Sequence, residues 1–67
     1  MGRFYKVTFY MLNARGMKLG SSPVVLCFYS VSDFDFDSLS CRRMLLEYGR
    51  SIGRSGSVVE IIEVEKG

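Results

Sequence analysis

Histidine is absent from the chain. With it go the commonest general base, the Ser-His and Cys-His nucleophile pairs and the usual His-containing zinc sites. That absence argues for a protein that is not an enzyme. Proline occurs once, and no run of about 18 apolar residues is present that could cross a bilayer as a helix. Cysteine occurs twice. Cys27 and Cys41 sit in apolar stretches, match neither a C-x-x-C spacing nor a secreted disulfide framework, and are expected as reduced core thiols. A disulfide between them requires a strand and a helix to meet there. No apolar signal core follows the charged start, so a cytoplasmic location and no membrane partner are expected. Repeats and linkers are lacking too, and one small domain covering residues 1–67 is expected.

What remains is globular in composition: 67 residues, 48% hydrophobic and 24% charged. A domain of this size hides only about 60% of its unfolded surface, so its core is thin. The net charge of +2 is too small to imply nucleic acid, because phosphate binding needs several clustered cations. Its distribution is more informative. Residues 1–32 hold Arg3, Lys6, Arg15 and Lys18 without an acid, and residues 33–37 hold Asp33, Asp35 and Asp37 without a base. Residues 38–57 set Arg42, Arg43, Arg50 and Arg54 against Glu47, and residues 58–67 set Glu60, Glu63 and Glu65 against Lys66. Alternating blocks of this kind favour a charged protein partner over a uniform polyanion.

The pattern predicts strand, strand, helix, strand. In Arg3 to Leu12, Tyr5, Val7, Phe9 and Met11 share one face, and Phe4, Lys6, Thr8, Tyr10 and Leu12 the other. Residues 13–23 collect the glycine, serine and proline of a loop. Val24 to Val31 is an almost unbroken apolar run, the pattern of a strand buried on both faces. Cys41, Leu45, Tyr48 and Ile52, with Met44 beside them, recur at helical spacing. Asp37 or Ser38 suits the N-cap and Gly53 the left-handed C′ position. Gly49 costs about 1 kcal/mol inside such a helix, which would then stop at Tyr48, whereas Ile52 argues for the longer version. Val58 to Glu65 is a strand whose alternation shifts near Ile61 and Ile62, as a bulge would require. The fold class is α+β: a three-stranded antiparallel sheet in ββαβ order with one helix on one face. Strand order 2-1-3 is expected, with 1-2-3 as the alternative that would centre the apolar second strand.

One helix covers one side of such a sheet. Phe4, Tyr10 and Tyr29 are therefore expected on an open apolar face, suited to a homodimer or a foreign partner unless loop 13–23 folds over it. On the helix, Leu39, Leu46, Arg43 and Arg50 form a second candidate strip, either simply solvated or a contact surface. Asp33, Asp35 and Asp37 open like a calcium loop, but Ser38 replaces the required glycine and Met44 the bidentate glutamate. They are read instead as a helix entry or as carboxylates offered to a basic groove. Arg15 and Lys18 in the loop, with the open-face aromatics, form the weaker alternative of a single-stranded nucleic acid platform. No metal or cofactor is implied.

The string SLSCRRMLLEYGRSIGRSGSVVEIIEVEKG, preceded by YKVTFYML, resembles short bacteriophage-encoded proteins that pack one helix on a small antiparallel sheet. These include host-takeover inhibitors, such as the small phage inhibitor of bacterial RNA polymerase, and several anti-CRISPR proteins. The resemblance covers the whole chain in order of elements and implies a stoichiometric binder that blocks a bacterial enzyme or defence complex in the host cytoplasm. It carries over no functional residue. The charge blocks and the open face equally suit a toxin-antitoxin component or an adaptor.

Overall fold

In the computed structural model, which describes residues 2–31 and 35–67, Arg3–Leu12 forms strand β1. Its odd positions face inward: Tyr5, Val7, Phe9 and Met11 are all but fully buried. Val24–Ser30 forms β2, Leu39–Ser51 the helix α1 and Val58–Lys66 β3. The sheet is antiparallel throughout in the order β2-β1-β3, so the arrangement 1-2-3 does not occur. The core is built by the odd face of β1 with Val24, Val59, Cys41 and Leu45. Burial of each large side chain contributes about 1.5–3 kcal/mol of transfer free energy.

The helix begins at Ser38, not Asp37. Ser38 has extended backbone angles and its Oγ accepts the Cys41 N–H at 3.1 Å. Asp35 prepares this start: its Oδ1 accepts the Asp37 N–H at 3.0 Å, and its carbonyl accepts the Ser38 hydroxyl at 2.8 Å. Residues 35–38 thus fold as an Asx-type turn leading into the helix. Phe36, beside it, packs its ring 5.5 Å from Tyr5 and 6.4 Å from Phe28, closing one end of the core.

At the other end α1 runs on past Gly49. The Gly53 N–H reaches the Arg50 carbonyl at 3.1 Å, and the Arg54 N–H reaches the Gly49 carbonyl at 2.9 Å. With Gly53 at φ +89°, these bonds form the two-bond glycine stop of a Schellman motif. The inward residues of α1 are Cys41, Leu45 and Gly49. Ile52, expected in the core, is the C-cap and is 49% exposed, because the chain leaves the helical path there. Gly49 is present because the helix crosses Met11 closely: a Cβ at this position would stand 2.5 Å from the Met11 Sδ.

Two readings of β2 need correction. It is an edge strand, not one buried on both faces: Val25, Cys27 and Tyr29 are exposed, while Leu26 and Phe28 are half-buried on the helix side. Cys27 is consequently not a core thiol. It is exposed on the open face while Cys41 is buried on the inner face of the helix, and both are free. β3 contains the expected irregularity. Thr8 pairs with Glu63 and Phe9 with Ile61, leaving Ile62 as the extra residue of a bulge. Val59, Ile61 and Val64 therefore all meet the core although their spacing is uneven.

Candidate functional site

The sheet face away from α1 is read row by row from the registers of β1. Tyr29 lies opposite Phe4; Cys27 and Glu65 flank Lys6; Val25 and Glu63 flank Thr8; Glu60 lies opposite Tyr10. The β2 half of this face is apolar. Phe4 is 63% exposed, Tyr29 54% and Val25 44%. The Phe4 and Tyr29 rings meet edge to face with centroids 5.0 Å apart. The β3 half is acidic, because the bulge brings Glu60, Glu63 and Glu65 onto the same face. A face expected to be an apolar and aromatic patch is split lengthwise into an apolar strip and a carboxylate strip, with Lys6 between them.

Loop 13–23 closes one end of this face. Asn13 Oδ1 accepts the backbone N–H groups of Arg15 and Met17 at 2.9 and 3.0 Å, which makes residues 13–17 a built turn. The Leu19 N–H then returns to the Met11 carbonyl at 2.8 Å, and Lys18 bridges back to Leu12. Lys18 Nζ lies 4.3 Å from the centre of the Tyr10 ring, within cation–π range. Two expectations change as a result. Tyr10 is half-buried under Lys18, and Leu12 is buried where an open position was expected. Arg15 remains exposed on the turn. The loop covers this end only and leaves the rows of Phe4, Tyr29, Cys27 and Val25 open.

The second candidate strip, on α1, does not stay together. Arg43 is exposed and lines a groove of about 290 Å³ with Leu39, Arg42, Leu46, Val58 and Val59. Leu46, read as an outward residue, is half-buried against the core. Arg50 turns to the loop and donates from Nη2 to the Gly56 carbonyl at 2.9 Å, a structural tie. Arg54 makes a similar tie, donating to the carbonyl and hydroxyl of Ser22 at 2.9 and 3.3 Å. Among the aspartates, Asp35 holds the turn before the helix and Asp37 is exposed; Asp33 lies outside the described residues.

Among the described residues no group of three or more His, Cys, Asp or Glu side chains comes together to hold a metal ion. Burial pushes the Cys41 thiol above its ordinary pKa, with Asp35 adding to the rise and Arg42 opposing it, so the group stays protonated at neutral pH. No helix is long and apolar enough to cross a membrane. The sequence signal of the carboxylate column Glu60, Glu63 and Glu65 is the Val-Val-Glu-Ile-Ile-Glu-Val-Glu string once a bulge is set at Ile62. In comparison with known proteins, the chain matches no family model, no curated protein and no solved structure.

Proposed function

We propose that the chain is a non-enzymatic protein-binding module, a phage-type stoichiometric inhibitor that blocks a bacterial enzyme or defence complex. The observation that carries this reading is the split sheet face, in which exposed Phe4, Tyr29 and Val25 lie beside the carboxylates of Glu60, Glu63 and Glu65. Aromatic anchors next to one sign of charge are what a partner surface of apolar and basic groups recognises. Phosphate backbones are poorly suited to this face, since the carboxylates repel them. The apolar rows at the sheet edge suit a second copy as well as a foreign chain, and self-association stands apart from the inhibitor role.

The test is affinity capture from a bacterial lysate with the tagged protein, before and after nuclease, read by mass spectrometry. The reading expects one stoichiometric protein that survives nuclease and whose own activity falls when the chain is added. Phe4→Glu and Tyr29→Glu should each weaken that complex at least about 30-fold, the loss typical of an interface anchor. Capture that vanishes with nuclease refutes the reading and moves the weight to nucleic acid, with Arg15 as the residue to change first.

A further inference from the structure

The two outer edges of the sheet are built differently. β3 carries Glu60, Glu63, Glu65 and Lys66 and is broken by the bulge at Ile62. Charges and bulges are the devices by which proteins keep a free edge from pairing. β2, the other terminal strand, has none of them. Its sequence VVLCFYS contains no charge and no proline, and all seven residues pair with β1 in one unbroken register. Both of its sides are incompletely covered, with Val25, Cys27 and Tyr29 exposed on one and Leu26 and Phe28 half-buried on the other. A strand apolar on both faces has the composition of an interior strand. One more strand alongside would make it one.

We propose that the occupant of this edge is a second copy of β2. The two strands pair antiparallel about a two-fold axis at Cys27, giving one six-stranded sheet in the order β3-β1-β2-β2-β1-β3. A two-fold perpendicular to the sheet keeps each residue on its own face, so the register sets Cys27 against its symmetry mate. Val25 then meets Tyr29, Leu26 meets Phe28 and Val24 meets Ser30. Aromatic residues opposite aliphatic ones are favourable cross-strand pairs, and no charge is placed in the junction. The alternatives are worse: β3 against β3 sets glutamates against glutamates, and β2 against β3 is head-to-tail and leaves an open edge at each end. Pairing β2 with itself closes the assembly and leaves only the protected β3 edges outside. Both helices then lie on one face and the two apolar strips merge on the other. The pairing does not depend on the partner-binding role.

The test uses the full chain under reducing conditions, in sedimentation and light scattering at micromolar concentration. Wild type should run at twice its 7.6 kDa mass. Cys27→Lys and Cys27→Glu, exposed substitutions checked for folding by circular dichroism, should each run as monomers because like charges meet across the axis. Their equimolar mixture should recover the dimer. As a check on the unmodified protein, a short bis-maleimide linker should join Cys27 to Cys27, with Cys41 shielded by burial. A wild type that stays monomeric and unlinked overturns the proposal, as it would if the edge served a foreign strand. Dimers that persist in both single variants overturn it as well.

Discussion

Replacing Gly49 by alanine sets two effects against each other. In an exposed helix the change would stabilise by about 1 kcal/mol, the propensity difference between the two residues. Here the new Cβ would stand 2.5 Å from Sδ and 2.8 Å from Cε of Met11. Met11 is 1% exposed and also abuts Gly56, where an added Cβ would lie 3.1 Å from the same methyl group. The buried thioether lies against both glycines and has little room to turn. Overpacking of this kind costs about 1–3 kcal/mol, so the net expectation is a loss of about 1 kcal/mol, or a drop of about 4–8 °C in Tm for a domain this small. Urea denaturation measures it, as a lower midpoint at unchanged slope. A double-mutant cycle isolates the cause: in a Met11→Ala background, where the obstacle is gone, Gly49→Ala should stabilise by about 1 kcal/mol. Stabilisation by Gly49→Ala in the wild-type background would refute the packing account and leave the glycine a mere helix defect.

Ser38→Ala removes the acceptor for the Cys41 N–H and should cost about 1 kcal/mol in the same denaturation assay, while Asp37→Asn, one residue outside the cap, should cost far less. Cys41 gives a pH signature. Its folded pKa lies above the ordinary 9.0, so the folded state holds the thiol proton more tightly than the unfolded chain. The resulting stabilisation is fully present below about pH 9 and is lost as pH rises through the folded value. The stability gap between wild type and Cys41→Ala should therefore narrow above pH 9; a gap constant from pH 7 to 10 would contradict it.

Most of the fold is legible in the residues. Tyr5, Val7, Phe9 and Met11 alternate cleanly because β1 has one covered and one open face. The unequal spacing of Val59, Ile61, Ile62 and Val64 announces the bulge. What stayed hidden depends on contacts distant in sequence. An apolar run such as VVLCFYS reads the same in the middle of a sheet and at its edge, so Cys27 looked internal. Gly49 is explained by Met11 and the orientation of Arg50 by Gly56, neither of which any local pattern reveals. The candidate site was half legible. Phe4 and Tyr29 emerged as expected, whereas Tyr10 was lost to Lys18, which reaches back over it from the loop.

The strand order has a consequence for the time course of folding. β1, the earliest strand in the chain, is the central one, and its second neighbour is residues 58–66. Pairs such as Tyr5 with Lys66 close nearly the full length of chain, the kind of contact that slows folding. The β1–β2 hairpin can form early, but until β3 docks the central strand keeps one edge bare. During synthesis on a ribosome that interval lasts until residue 66 has been released. Mutations that leave the finished structure untouched but delay β3 would therefore show up as lost yield and aggregation, with no change in equilibrium stability.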